Sequence, residues 1–221
     1  MILFIYGAGG AGCEVYDMVV RNDYFNKKYS SVYFVVDRLY AQEGDFYGIK
    51  IVHFENCRQY MDQEGGEFVI TVGEPSVRKL LAEKVKRAGY SLATLVDQTA
   101  VIADTVTMEE GCIVYAYAII SSDTTIHENC LIMFQSIIGH HAVVGKNCVI
   151  CPKATVGGHS TVGEQTFLGL GSSMIQGAKI GENVIVGLGS MVFRDIPDGA
   201  TVVGNPARVT KGSENHTVFG V

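Results

Sequence analysis

Along the second half of the chain, apolar positions recur every six residues. From Ala100 the sequence divides into sixteen consecutive hexads without an insertion, beginning AVIADT, VTMEEG, CIVYAY and ending with SMVFRD at Asp195. The third position is aliphatic or Met in every hexad, from Ile102 through Val144 and Ile180 to Val192, and the first is always Ala, Val, Cys, Thr or Ser. A repeat this regular decides the fold before local propensity does. It predicts a parallel β-helix with one hexad per face, the aliphatic residue turned into a narrow core and the small residue set in a tight corner. Three faces close a turn of eighteen residues, so residues 18 apart stack at the strand spacing of about 4.8 Å. Asn129, Asn147, Gln165 and Asn183 fall on that interval and predict an amide ladder. Cys112, Cys130 and Cys148 fall on it too, as small inward residues. Glycine occupies the fourth position at Gly139, Gly145, Gly157, Gly163, Gly169, Gly181 and Gly187, where a turn with φ > 0 is expected.

The first half has a different pattern: short apolar runs alternating with helical stretches. Strands are predicted at Ile2–Tyr6, Val32–Val36, near Ile49–Val52, at Phe68–Val72 and at Leu92–Val96. Helices are predicted over roughly 13–21, 56–63 and 75–88, the last with Pro75 in its first turn and Gly89 beyond its end. Strand and helix in alternation mean a parallel sheet. The boundaries read from sequence are 1–97 for this Rossmann-like domain, 98–210 for the β-helix and 211–221 for a tail that either caps the last turn or frays.

Chemistry enters at the end of the first strand. Gly7, Gly9 and Gly12 fit GxGxxG between a strand and a helix, with Gly10 inside the turn and Asp37 closing the next strand. Such a turn lets backbone N–H groups approach a diphosphate at a helix N-terminus. About 95 residues hold only half of a dinucleotide fold, so a nucleotide-sugar diphosphate fits better than NAD. A purely structural glycine turn is the alternative.

Composition narrows the classes. A formal charge of −6 argues against a nucleic-acid or anionic-membrane surface. No apolar run reaches the roughly 20 residues of a membrane span, and MILFIYGAGG runs straight into a strand and a turn rather than reading as a signal peptide. Six cysteines scattered through apolar segments suit reduced thiols in a cytoplasmic protein. The six histidines include no pair two turns (36 residues) apart, which leaves out a zinc site of the carbonic-anhydrase type. No metal site is expected, although adjacent His140 and His141 could acquire zinc adventitiously.

The GAGGAG turn, FVVD ending at Asp37, ITVGEPSVRKLL, SIIGHHAVVG and the closing GNPAR, Gly204 to Arg208, together resemble the sialic-acid O-acetyltransferase and bacillosamine-pathway N-acetyltransferase family. The likeness covers essentially the whole chain. It implies a left-handed β-helix, a homotrimer, acetyl-CoA as co-substrate, and a nucleotide sugar or sugar acid held between the N-terminal domain and the β-helix. It implies a role in bacterial surface-glycan biosynthesis. It places the general base at His140, since acyl transfer from a thioester needs a group that takes a proton near neutral pH. The donor thioester is expected at Gly158 and His159, with Phe167, Gly169, Gly187 and Arg208 along the cofactor. The acceptor is expected at Gly7, Gly9, Gly10, Gly12, Asp37, Gly73, Arg78 and Met133. The chain departs from the family pattern at His141 (usually a carboxylate), Val149 (often His), Met133 (an Asn) and Ala11 (often His). Asp123 and His159 lie 18 residues either side of His141, so Asp123 is expected to polarise the cluster in place of the missing acid. Tyr115, Tyr117, Phe134 and Phe167 sit at outward positions and are expected in a subunit interface. The competing reading is a non-catalytic nucleotide-sugar-binding module that kept the fold.

Overall fold

The computed structural model describes residues 1–40, 44–61, 65–210 and 216–219. It separates into two compact units, residues 1–73 with 80–93, and residues 74–79 with 94–221.

In the first unit, β1 (Ile2–Tyr6), β2 (Ser31–Val36), β4 (Ile49–His53), β5 (Gly66–Ile70) and β6 (Ser91–Leu92) pair in parallel, and β3 (Asp45–Phe46) adds an antiparallel edge. The order is β3-β4-β2-β1-β5-β6, with β1 central. All five residues of β1 are buried, as a strand covered on both faces requires. Helix α1 (Gly10–Arg21) turns Val15, Met18 and Val19 inward. On the other face Phe4, Tyr6, Phe54 and Phe68 join Ala82 and Val85 of α3 (Pro75–Arg87). A short helix α2 (Asp23–Lys28), not anticipated from sequence, is capped by the Asn22 side chain, which accepts from the Tyr24 and Phe25 amides. The segment expected to be helical over 56–63 is a 3₁₀ helix over Phe54–Tyr60, and its last two residues lie outside the described ones.

The second unit is a left-handed parallel β-helix. Among the described residues its two- and three-residue strands form three sheets, of eight, six and five strands. The partners Ile113, Leu131, Val149, Phe167 and Ile185 advance by 18, as expected. The next step, Ile185 to Thr201, is 16. This shortened coil ends the repeat, and the carboxylates of Asp195 and Asp198 accept the amides of Lys179 and Glu182. The expected strand over 92–96 is in fact two. Ser91–Leu92 is β6 of the first sheet, whereas Leu95–Val96 already pairs with Ile113–Val114 as the first strand of the β-helix.

Two details of the repeat differ from expectation. The left-handed backbone falls at the sixth hexad position, not the fourth: Tyr117, Asp123, Asn129, Gln135, His141, Asn147, Lys153, His159, Gln165 and Asn183 have φ between 52° and 61°. Asn, Asp and His tolerate that region best among non-glycine residues. The fourth-position glycines serve close approach instead. A Cβ at Gly139 would lie 2.5 Å from the Gly158 nitrogen, and one at Gly163 would lie 2.4 Å from the Gly181 carbonyl carbon. The small first residue also does more than fit. Cys130, Cys148, Thr124 and Thr166 donate to the carbonyls of Gly145, Gly163, Gly139 and Gly181, each 15 residues on, at 2.8–3.0 Å. Buried corner carbonyls are thereby satisfied from inside the coil. Of the amide ladder, the Asn129 side chain donates to Asn147 Oδ1 at 2.8 Å.

Candidate active site

The corner that follows strand Ile137–Ile138 carries the histidines. Because the sixth position is left-handed, Asp123, His141 and His159 repeat the same backbone shape one coil apart (φ 57°, 57° and 55°). The His159 amide donates to the His140 carbonyl at 2.8 Å and the His141 amide to Ser122 at 2.9 Å, which fixes the register. The rings of His141 and His159 stack at 4.7 Å and 25°. His140, one position earlier in its hexad, stands edge-on to both, 5.3 Å from His141 and 4.9 Å from His159. All three are exposed.

The polar contacts order these rings. His140 Nδ1 and His141 Nδ1 are 3.1 Å apart, so one donates and the other accepts. On its far side His141 Nε2 lies 3.6 Å from Asp123 Oδ2. That spacing is too long for a hydrogen bond, and the nearby carboxylate oxygen orients the neutral ring with its N–H at Nε2. His141 Nδ1 is then the acceptor, His140 Nδ1–H the donor, and His140 Nε2 carries the free lone pair. A Cβ on Gly158 would fall 2.8 Å from that Nε2. The absence of a side chain at Gly158 is what gives the His140 ring its place. The expected grouping of His140, His141, Asp123, Gly158 and His159 is therefore present at one corner.

The remaining expected residues divide. Gly7, Asp37 and Gly73 follow the C-terminal ends of the adjacent strands β1, β2 and β5, where open α/β sheets place ligands. A Cβ at Gly12 would meet the Gly7 oxygen at 2.3 Å, and Gly7 has φ 124°, so both are demanded by packing or backbone; Gly9 and Gly10 face open space. Asp37 is already engaged, accepting from Tyr6 Oη and Lys84 Nζ. Burial, and then the bond to Asp37, push the Tyr6 phenol well above its usual range.

Arg78 corrects expectation. It is fully buried, and its Nε and Nη2 donate to the Asn129 carbonyl at 3.1 and 2.8 Å, with Nη2 also 2.8 Å from Asn129 Oδ1. Burial lowers the guanidinium to about 10. It is a structural tether with no surface to offer a substrate. Met133, Gly169 and Gly187 lie on a different corner from His140, after strands of the eight-stranded sheet. Gly169 and Gly187 have packing reasons of their own, a Cβ at either meeting the neighbouring coil at 2.7 Å. Phe167 is buried and covered edge-on by Phe219 at 5.8 Å. Tyr115 is likewise buried, against Phe134 at 4.6 Å, so neither is an outward interface residue of the free chain surface. Arg208 lines a cavity of about 290 Å³ with Phe193, Arg194 and Pro206.

Several participants were invisible in sequence. Lys84 sits on an amphipathic helix and reads as solvated, yet it meets Asp37, Tyr6 Oη at 3.2 Å and Glu55 at 3.7 Å. Glu74, 4% exposed, accepts from the amides of Val218 and Phe219. Together with the 2.6 Å contact of His216 Nε2 to the Asn183 carbonyl, this lays residues 216–219 along the β-helix; 211–215 and 220–221 lie outside the described residues. Among the described residues no helix is long and apolar enough to cross a membrane.

A hexapeptide-repeat β-helix in one chain with a small parallel α/β unit is the architecture of hexapeptide-repeat acyltransferases with a PglD-type N-terminal domain, and the chain is an acyltransferase. The PglD N-terminal domain model matches residues 2–85, and the bacterial transferase hexapeptide model (six repeats) matches residues 123–158. Among solved structures the chain is similar to WeeI from Acinetobacter baumannii, at 25% identity and TM-score 0.88, covering 95% of this chain and 100% of that one. It is similar to PerB from Caulobacter crescentus, solved with CoA and GDP-perosamine, at 26% identity and TM-score 0.84, covering 96% and 98%. The acetyltransferase domain of PglB from Neisseria gonorrhoeae shares the fold at 24% identity and TM-score 0.86, covering 95% and 99%. No curated protein matches the chain.

Proposed function

We propose that the chain transfers the acetyl group of acetyl-CoA to the amine of a sugar carried on a nucleoside diphosphate, with His140 as general base. The observation that carries this reading is the His140 imidazole seated over Gly158 at an exposed corner, with Nδ1 occupied by His141. Its Nε2 lone pair takes a proton from the amine as the nitrogen attacks the thioester carbon. The C–N bond forms, the C–S bond breaks, and CoA leaves as the thiol, its sulfur taking the proton that His140 holds. Backbone N–H groups at the glycine corner stabilise the oxyanion. His141 stands in for the orienting carboxylate. Asp123 keeps His141 protonated on Nε2, so that Nδ1 accepts from His140 and steadies the imidazolium as it forms.

The relatives support both substrates, since PerB was solved with CoA and a GDP-linked sugar. Gly9 and Gly10, the glycines of the first turn that packing does not demand, are suited to the diphosphate. Gly158 and His159 lie on one corner, whereas Gly169, Gly187 and Arg208 lie elsewhere on the coil. A homotrimer in which a neighbouring copy brings the second group to the first accounts for one donor site using both. The free thiols and the nature of the substrates suit a cytoplasmic step in surface-glycan biosynthesis.

The test is release of CoA thiol from acetyl-CoA against a panel of nucleotide-linked aminosugars and free sialic acids. Turnover on an aminosugar that falls by about 10²–10⁴ in His140→Ala supports the proposal. Turnover on a sialic acid alone redirects it to O-transfer. Tight nucleotide-sugar binding without thiol release establishes the non-catalytic module instead.

A further inference from the structure

We propose that His140, His141 and His159 form a three-imidazole site for a zinc-class divalent ion, and that the ion and the general base exclude one another. One ligand nitrogen from each residue lies within 4.8 Å of the others. Zinc binds imidazole nitrogen at about 2.0–2.1 Å in tetrahedral geometry, which separates two such nitrogens by about 3.3 Å. His140 Nδ1 and His141 Nδ1 already stand 3.1 Å apart, so two of the three donors have the bite of a single ion. The third comes from the coil above, and an exposed imidazole swings by one to two ångströms at little cost in packing.

The repeat itself holds this arrangement. His141 and His159 occupy the same left-handed position one coil apart, and the His159 amide bonds to the His140 carbonyl, so all three Cα positions are fixed by the sheet ladder. Asp123, 3.6 Å from His141 Nε2, supplies the carboxylate behind a ligand histidine that zinc sites commonly carry. The corner is open, which leaves the fourth position to water. Imidazole donors favour zinc, nickel or copper over magnesium or calcium. The interval of 36 residues, which would be needed to share an ion between copies of the chain, is therefore unnecessary. One chain assembles the donors from a neighbouring pair and one residue a single coil away.

Occupancy has a chemical consequence. In the acetyl-transfer reading the neutral His140 ring must accept a proton, and a ring bound to metal in this cluster has lost either that lone pair or its hydrogen bond to His141. Bound zinc thus switches the reaction off. Metal binding stands without that reading; the inhibition rests on it.

The experiment uses the full chain after chelation. Zn²⁺ is titrated by calorimetry and Co²⁺ by visible absorption, for wild type, His159→Asn and His141→Asn; asparagine retains the left-handed backbone, so both variants fold. One ion per chain is expected at about micromolar affinity or tighter, with the strong cobalt bands of four-coordinate geometry and no thiolate charge transfer. Affinity is expected to fall by about a hundredfold in either variant. Unchanged stoichiometry and affinity in both variants, or no binding in the wild type, overturns the site. Wild-type turnover is expected to drop more than tenfold with one equivalent of Zn²⁺ and to return with chelator. Undiminished turnover with the site filled overturns the mutual exclusion. Absent turnover at every zinc level, with the cobalt spectrum intact, sustains the metal site and counts only against acetyl transfer.

Discussion

In the α/β unit Phe4, Phe54 and Phe68 each fill a place that no other residue repeats, whereas in the β-helix the same aliphatic column is laid down coil after coil. The glycines of the two regions differ in the same way. In the first unit, one turn mixes glycines that packing demands, Gly7 and Gly12, with glycines that face open space, Gly9 and Gly10. In the β-helix, six of the seven fourth-position glycines share one reason, that the next coil's backbone occupies the place of a Cβ, and at Gly187 the Val203 side chain stands there instead. A repeated position acquires one structural reason, and a residue there is functional only where it departs from it. Gly158 is such a departure. It sits at the fifth position rather than the fourth, and its missing side chain makes room for His140.

The contrast is broken hardest by adding one methyl to a coil. Gly163→Ala places a Cβ 2.4 Å from backbone that the sheet ladder cannot move; a loss of about 3 kcal/mol, lowering Tm by about 10 °C in calorimetry, is expected. An unchanged Tm would show that coils can separate locally.

Arg78→Ala comes next. It strips hydrogen bonds from the buried Asn129 carbonyl and side chain, at a cost of about 2 kcal/mol in denaturant unfolding. The acceptor KM of the better-packed Arg78→Met should match that of wild type. A raised KM at full stability would return Arg78 to the substrate site.

Gly9→Ala separates stability from binding. Open space around Gly9 predicts a stability change below about 0.5 kcal/mol, while nucleotide-sugar affinity by calorimetry falls about tenfold as the methyl blocks diphosphate approach. Intact affinity would make the turn structural.

The smallest effect is expected at Glu109, which lies 3.0 Å from His127 Nδ1 one coil on. The hydrogen bond from His127 holds the Glu109 carboxyl below its ordinary range. A depressed carboxyl contributes stability above the unfolded value of about 4.3 and loses it as pH falls through the lower folded value. The two side chains are 42% and 35% exposed, so solvent screening limits Glu109→Gln to less than about 1 kcal/mol at pH 7, measured by thermal unfolding.

The hexad register, the inward column and the 18-residue stacking of Asp123, His141 and His159 were legible in the sequence, because in a β-helix contact order is simple arithmetic on chain position. So was the strand–helix alternation of the first unit, since a buried parallel sheet writes itself as continuous apolar runs. The end of strand β6 was not. Leu92 and Leu95 belong to one apolar run, and only the pairing of Leu95 with Ile113 assigns them to different sheets. Lys84 could not be found either, because a lysine on an amphipathic helix carries no mark of the carboxylate it meets 47 residues away. Arg78 misled for the matching reason: a cation in a family motif suggests a ligand, and only burial against Asn129 shows its donors already engaged.

By itself the sequence determined the periodic half of the molecule, where each residue's neighbours follow from counting. Tertiary structure alone decided what the counted residues do. It moved the left-handed turn from glycine to the sixth-position side chains, closed Gly12 against Gly7, and turned three histidines of two coils toward a common point. Periodicity specifies which residues are adjacent, but ring orientation, nitrogen spacing and burial arise from packing in three dimensions, which no interval along the chain encodes.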